Sequence, residues 1–469
     1  MELSSDELLP PMGAIPLFIT TTTRRIFGFH PWRAMQARYI QTTSVVFTGG
    51  KNAGKTACAL LLMYYTSMLD MGDGRRARMI YDNMRTNDGK ETEDVGLLRA
   101  YGKDGIRITV KEAHINPFDW RLLLTPSQML RWTIATVFDL NKMSFDEIEI
   151  SILGQLIRKM TTGTNKKIAC PTLLVQMADE FEVNDYISNI RSRRNKIVRH
   201  LGTTEAGVNM LKMVLKSGTD PTTWENRLAI SHHPELVTEA ATRLAAKLNT
   251  ALLETGAEIF GDENSLVEIM GEHLYVSQDL TGLDDALASS YHFLVRLYIR
   301  NSGRFDIIGQ DETSKSWRFA SWAASESDEE WQIREYSPLK IRIIQELSLL
   351  QMSADANTQQ YQMALNSVRG AGVHFIFGGQ TESAYEGLRE ALGMSSLDAR
   401  WLMSINPKRP GTFGLKPRDG SLIRSQLLVT TDDEMEIISS NSAVARRVGR
   451  QSRRARRNLD RARKELNVS

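Results

Sequence analysis

Residues 44–56 read Ser44-Val-Val-Phe-Thr-Gly49-Gly50-Lys51-Asn52-Ala53-Gly54-Lys55-Thr56. A short apolar run ends in glycines, and a stretch rich in Ala, Leu and Met follows from Lys55 to about Leu69. The first part predicts a buried strand and the last a helix. Between them, Gly49 to Thr56 fits G-x-x-x-x-G-K-[ST] in full. Each fixed type has a physical reason. Gly49 and Gly54 let the backbone bend so that its N–H groups converge on phosphate oxygens. The N-terminus of the following helix adds partial positive charge. Lys55 has the reach for β- and γ-phosphates, and Thr56 offers a hydroxyl to Mg2+. A chance glycine turn would match the four fixed positions in about one chain in fifty of this length, and more rarely with a strand before it and a helix after. Asn52 and Ala53 stand where another glycine and a small hydroxyl residue are common, but Asn tolerates positive φ. The whole segment Gly49, Gly50, Lys51, Asn52, Ala53, Gly54, Lys55 and Thr56 therefore predicts a site for nucleoside triphosphate, ATP above all, with Mg2+.

Working outward, Arg78-Met-Ile-Tyr-Asp82 reads as the next strand and Gly105-Ile-Arg-Ile-Thr-Val110 as a third, with a turn at Ile115-Asn-Pro-Phe118. Strand, helix and strand in alternation predict an α/β fold with a mainly parallel sheet flanked by helices. From about Thr125 to Gly256 the pattern is mostly helical. Strands return at His273–Ser277, Phe305–Gly309 and Val373–Phe377, and the last are expected near Gly411–Leu415 and Gln426–Thr430. The expected organisation is an irregular lead-in over 1–43, the first part of the core over 44–124 and a helical insertion over 125–256. The second part of the core follows over 257–432, and a basic tail over 433–469.

At 469 residues, 42% hydrophobic and 24% charged, the chain excludes wholesale disorder and has room for two or three units. Its net charge of +2 averages over uneven segments and indicates no partner. Cys58 and Cys170 stand alone, which fits a reducing cytosol and no disulfide framework. No run approaches the roughly 18 apolar residues of a membrane-spanning helix, and the acidic, proline-bearing N-terminus does not read as a signal peptide. A cytoplasmic protein is expected, held at a membrane only by a partner. The histidines form no H-x-x-x-H pair, so no zinc is expected, and no G-x-S-x-G elbow is present.

A P-loop site needs an Asp at a neighbouring strand end for the Mg2+ shell, and hydrolytic members add a Glu to orient water. Two pairs compete. Asp179-Glu180 follows the stronger apolar run, Leu173-Leu-Val-Gln-Met-Ala, whereas Asp311-Glu312 follows the patchier Phe305-Asp-Ile-Ile-Gly-Gln. Chain order decides for Asp311 and Glu312. A further polar group is expected on the strand after the pair, and Val373-His-Phe-Ile-Phe-Gly-Gly-Gln380 supplies it, while Asp179 is followed mainly by helix.

With these segments in place, the chain resembles the FtsK/HerA superfamily of motor ATPases, and most closely the conjugation ATPases of type IV secretion. Ile26-Phe-Gly-Phe-His30 looks like the approach to the nucleotide site, Arg78–Asp82 the family's second strand, and Ile115-Asn116-Pro117-Phe118 its Asn-Pro turn. Gln278-Asp279-Leu-Thr-Gly-Leu283 with the helix to Arg300 is similar to the segment before its Asp-Glu strand, and Ser367-Val-Arg369-Gly-Ala-Gly372 to the lead into the Gln380 strand. The shared order from Ile26 to Val429 carries the likeness. It implies a RecA-like core and a catalytic set of Lys55, Glu312 and Gln380, with metal held through Thr56 and Asp311. It also implies a ring, usually of six subunits, in which an arginine acts on the neighbour's site, with Arg369, Arg409 and Arg418 as candidates. The family usually carries a large N-terminal domain or membrane helices before the P-loop; here about forty residues precede it.

Two basic segments remain. Arg191, Arg193, Arg194, Lys196 and Arg199 crowd one expected helix, where phosphate contact and a solvated face are equal readings. In the tail, arginines from Arg446 to Arg463 surround Val444, Val448, Ala455, Leu459, Ala462 and Leu466 at helical spacing. DNA, an anionic membrane, partner protein or water could each face that side. Two functions stay open: a ring motor moving DNA or assisting substrate transfer, with membrane-bound secretion machinery as a partner, and a nucleotide-dependent assembly or regulatory subunit.

Overall fold

The computed structural model describes residues 16–23, 26–36, 38, 40–68, 76–83, 86–87, 91–110, 113–162, 167–188, 233–264, 266–311, 313, 319–321, 338–344, 366, 368–406, 410–429 and 431–438. The chain divides into two compact units, Met1–Ala113 with Ser265–Ser469, and His114–Asn264.

In the larger unit the strands are β1 (Pro16–Thr20), β2 (Ile26–Gly28), β3 (Ser44–Thr48), β4 (Met79–Asn83), β5 (Thr86–Asn87), β6 (Glu91–Thr92) and β7 (Gly105–Thr109). Then come β8 (Tyr275–Asp279), β9 (Ile307–Gln310), β10 (Leu339–Ile344), β11 (Val373–Phe377), β12 (Thr412–Pro417) and β13 (Ile423–Leu427). All but the β5–β6 pair join one sheet, in the order β2-β1-β13-β12-β11-β3-β10-β9-β4-β8-β7. From β11 to β7 every neighbour is parallel, and from β11 back to β2 every neighbour is antiparallel. The mainly parallel α/β architecture expected from the sequence is thus present.

Parallel strands are covered on both faces and read as near-continuous apolar runs. Val45, Val46 and Phe47 of β3 are fully buried, and Phe47 stacks on Phe375 of β11 with centroids 4.4 Å apart. After the short helix α1 (Pro31–Gln36), α2 (Lys55–Ser67) lies on one face, apolar nearly all round, with β3, β9 and β10 beneath it and the helix Asp432–Ile437 also packed against it. The opposite face carries a buried polar row. Lys416 of β12, His374 of β11, Val46 of β3, Arg342 of β10, Gln310 of β9, Asp82 of β4 and Gln278 of β8 are successive cross-strand partners. Direct partners share a face, so all except Val46 present polar groups to the same side. A second helix, Asp285–Ser302, covers part of this row. Its Tyr291 hydroxyl accepts from Gln278 at 2.6 Å, and its His292 Nε2 lies 3.2 Å from Asp82 Oδ2. Its Arg296 donates to Gln310 Oε1.

Three expectations need correction. The lead-in over 1–43 is not irregular throughout: β1 enters the sheet between β2 and β13, with Phe18 opposite Leu427, and Pro31–Gln36 is a helix. Prolines hid it, yet Pro16 stands at the first residue of its strand, where no ladder N–H is lost. Next, β10 was unforeseen. Lys340 and Arg342 interrupt its apolar pattern because Arg342 belongs to the polar row. Finally, the strand after Asp311 along the chain is therefore β10, lying between β9 and β3, and Gln380 follows β11 on the other side of β3.

The second unit is helical: Pro126–Asn141, Glu147–Thr161, Pro171–Asp179 and Pro234–Leu248 are its main helices. Capping boxes at Thr125/Gln128 and Asp146/Glu149 start the first two. Trp132 packs edge-on against Phe260 at 5.0 Å. Buried Glu149 is held by Lys247 at 2.7 Å and Arg243 at 3.2 Å. Asn116 of the Asn-Pro turn donates to the Ala169 and Asp262 carbonyls at 2.7 and 3.0 Å, which makes the turn a knot of this unit. No helix among the described residues is long and apolar enough to cross a membrane.

Candidate functional site

Parallel strands deliver their C-terminal ends to one edge of the sheet, and ligands bind in the crevice there. β3 ends at that edge and runs into Gly49. A Cβ on Gly49 would lie 2.5 Å from Phe377 Cβ, and one on Gly50 would lie 2.1 Å from the Gly379 carbonyl oxygen. The loop is thus pressed against the turn after β11, and Gly50 N–H donates to Gly378 O at 3.0 Å. On its other side Gly411 N–H donates to Ala53 O at 2.9 Å. Gly54 caps α2 in a left-handed conformation at φ 99°, and Asn52 adopts φ 60° as its side chain permits. Lys55 is buried, its Nζ donating to Gly49 O at 2.8 Å and Gly50 O at 2.9 Å. Those carbonyls receive the ammonium as phosphate oxygens would. Thr56 follows, half-buried, in the first turn of the helix.

Two further groups reach this edge. Asp311 directly follows β9, is buried, and its N–H donates to Asp82 O at 3.1 Å. Gln380 follows β11, and its Oε1 accepts from Thr48 Oγ1 of β3 at 3.4 Å. Its Nε2 is buried and has no hydrogen-bond partner among the described residues. Tyr385 steadies this turn, donating to Phe377 O at 3.0 Å and accepting from Gln380 N–H at 3.4 Å.

Beneath Asp311, burial pushes the Asp82 carboxyl up to about 7 against the pull of Arg296 and the Gln310 hydrogen bond. Burial, then Arg296, push His292 down to about 3. Behind β2, His30 is buried 5.8 Å from the Trp32 ring, and burial lowers it to about 4.

The structure therefore brings Gly49–Thr56, Asp311 and Gln380 to one sheet edge. Asp179 instead ends a helix of the second unit, with Glu180 as its cap, so neither sits on a strand. Arg369 and Arg418 lie at the opposite edge, next to the start of β11, where Arg418 N–H donates to Gly372 O at 3.0 Å. Glu312, Arg409, the Arg191–Arg199 cluster and the tail from 439 fall outside the described residues. Sequence reading missed the roles of Gly50, Gly379 and Gly411. In the motif Gly50 is a variable position, and its constraint comes from a turn more than three hundred residues away.

This site fits a nucleoside triphosphate on observations of its own: a glycine loop seated tightly against the turn after β11, a buried ammonium among the loop carbonyls, and a Gln380 Nε2 without a hydrogen-bond partner among the described residues.

Sheet order, crossovers and loop together define a RecA-like P-loop fold. Among solved structures, the chain is similar to VirB4 of Thermoanaerobacter pseudethanolicus, with a TM-score of 0.60 and 14% identity over 91% of this chain and 99% of that one. It also matches the unbound monoclinic form of the bacterial conjugative coupling protein TrwB, at a TM-score of 0.46 and 13% identity over 84% and 87%. The same plasmid coupling protein in complex with ADP and Mg2+ matches at a TM-score of 0.42 and 12% identity over 83% and 87%. At such identities it is the fold that is shared. No family model matches the chain, and no curated protein sequence matches it.

Proposed function

We propose that this chain is an ATP-hydrolysing ring motor of the FtsK/HerA type that drives DNA or another substrate through a conjugation or type IV secretion apparatus. The observation that carries the reading is the Gly49–Thr56 loop, with Lys55 buried inside it, at the C-terminal edge of a sheet whose fold is that of VirB4.

In this reading phosphate oxygens take over Lys55 from the Gly49 and Gly50 carbonyls, and the loop N–H groups and the α2 terminus hold the rest of the triphosphate. Thr56 and Asp311 would hold Mg2+, which when bound neutralises charge developing on the phosphates. Glu312, next to Asp311 on the chain, orients the attacking water. Gln380 turns its Nε2 toward the γ-phosphate, a partner that this nitrogen lacks among the described residues. Completion comes in trans. Arg369 lies away from its own loop, at the opposite sheet edge, so a neighbouring subunit in a ring, usually of six, is the site it would serve. The ring works in the cytoplasm, held at the inner face of the membrane by partners, and its basic segments are the surfaces offered to DNA.

ATP turnover of the purified chain with and without DNA tests this. Turnover should rise with DNA, and Lys55→Ala should abolish nucleotide binding or turnover. Unchanged turnover in folded Lys55→Ala would remove the P-loop assignment. Turnover indifferent to DNA would leave the chain as a nucleotide-dependent assembly or regulatory subunit.

A further inference from the structure

Tyr81 of β4 stands opposite Gly309 of β9 in the parallel ladder. Its ring fills the space that a side chain at position 309 would need, since a Cβ there would lie 2.4 Å from Tyr81 Cδ2 and 2.7 Å from Met63 Sδ of α2. Gly309 thus admits the ring, and the ring lies on the α2 face, where it is fully buried. Along a strand, residues two apart share a face. Asp311 is the next position beyond Gly309 on that face, and the Asp311 N–H to Asp82 O bond extends the ladder to it.

The Tyr81 hydroxyl is buried and has no hydrogen-bond partner among the described residues. Such an orphan is costly in a core, and Phe would fill the same volume without it. A phenol is a proton donor at ordinary pH, and the carboxylates of β4, of its hydrogen-bonded neighbours and of the end of β9 are the candidate acceptors. Asp94 is already engaged, accepting from Asn83 Nδ2 at 2.8 Å through one oxygen and from the Tyr275 hydroxyl through the other. Asp82 turns its carboxylate to the opposite face, toward His292. Asp311 is the acceptor that shares the phenol's face and follows its partner strand.

We propose that Tyr81 is a positioning residue for the metal-holding carboxylate: its O–H donates to Asp311 when that side chain turns toward Mg2+, fixing one oxygen so that the other faces the ion. The inference rests on the reading of Asp311 as the Mg2+ carboxylate. A carboxylate held at one oxygen loses less freedom when its other oxygen meets a cation, and removing such a support weakens metal affinity about 10- to 100-fold.

Tyr81→Phe in the full chain removes one oxygen and no packing volume. A fluorescent ADP analogue, titrated without Mg2+ and over a Mg2+ series, reads the effect independently of turnover. The Mg2+ concentration at half-effect should rise about 10- to 100-fold. Nucleotide affinity without Mg2+ should stay unchanged, and the ligand-free melting midpoint should stay equal or rise. A Mg2+ dependence equal to the parent's would overturn the proposal, and so would an equal loss of affinity with and without Mg2+, which marks a shape effect alone. Asp311→Asn, measured alongside, separates the two readings. If it leaves the Mg2+ dependence intact, the assignment of Asp311 has failed and the proposal falls with it. If it removes the dependence while Tyr81→Phe does not alter it, only the role of Tyr81 is lost.

Discussion

Replacing Gly50 by alanine tests the seating of the loop. The new Cβ would start 2.1 Å from the Gly379 carbonyl oxygen and 2.6 Å from its carbon, both backbone atoms. Ordinary contact begins near 3.4 Å, so the turn after β11 must withdraw by about 1.3 Å. The Gly50 N–H to Gly378 O bond, 3.0 Å long, lies in the same contact and would stretch out of range. Overpacking of this kind costs about 1–3 kcal/mol, and the lost hydrogen bond about 1 kcal/mol more. The expected destabilisation is about 2–4 kcal/mol, seen as a lower urea midpoint, together with weakened nucleotide binding because the cradle is displaced. Gly387→Ala is the control. Its Cβ would meet nothing within 4 Å in the helix Glu382–Leu392, so it should gain about 0.5–1 kcal/mol and leave nucleotide affinity alone. A Gly50→Ala chain with the parent's midpoint and affinity would refute the reasoning, because the loop would then have slack that the structure does not show.

Glu312→Gln should keep ATP binding and suppress hydrolysis, while Glu180→Gln should leave both binding and hydrolysis intact; a loss of turnover in the Glu180 variant instead would move the catalytic pair to Asp179-Glu180. Burial, aided by Lys416, holds His374 near 3 in the folded chain against 6.5 in the unfolded one, so the unfolded state takes up the proton first. Stability should then fall as pH drops from 6.5 toward 3, by about 2 kcal/mol at pH 5 for this residue. His374→Leu should make urea midpoints correspondingly less sensitive to acid over that window, and an unchanged acid limb would contradict the burial argument. Removing residues 443–469 should weaken DNA binding and flatten its salt dependence while basal turnover is kept. With about six phosphate contacts the parent's affinity should fall roughly a thousandfold between about 50 and 200 mM salt. Equal affinity and slope with and without the tail would assign it to another partner.

Legibility followed the range of the interactions. The P-loop is contiguous, and each of its fixed residues answers to atoms within the same turn or to the ligand, so the motif could be read residue by residue. β3, β4 and β11 were equally plain, being buried on both faces and mainly apolar. Asp311 could be set above Asp179 only by order along the chain; the apolar run before Asp179 proved to be a helix, since a short run has no period that tells the two apart. β1 was hidden because Pro16 opens it, its local partner β2 is only three residues long, and its other partner β13 lies some four hundred residues away. β10 was hidden for a different reason, as Arg342 is charged yet central, and its place is intelligible only beside Gln310 and Val46. Gly50 could not be recognised as obligatory, because the atom that excludes a side chain there belongs to Gly379.

The polar row makes the strands of this sheet non-interchangeable. Uniformly apolar parallel strands of similar length would tolerate exchange, since any one could lie beside any other with little change in burial. Here β10 and β11 flank β3 on opposite sides, and Val46 keeps Arg342 apart from His374 and Lys416. Were β10 and β11 to trade places, Arg342 would come beside Lys416, two cations side by side with little water to separate them. Gln310 would lose its partner Arg342 to a histidine held neutral by burial. A slip of one residue in β10 would turn Arg342 into the apolar layer under α2. The six buried polar side chains thus act as an address for each strand, and a misplaced strand is penalised as the sheet is buried.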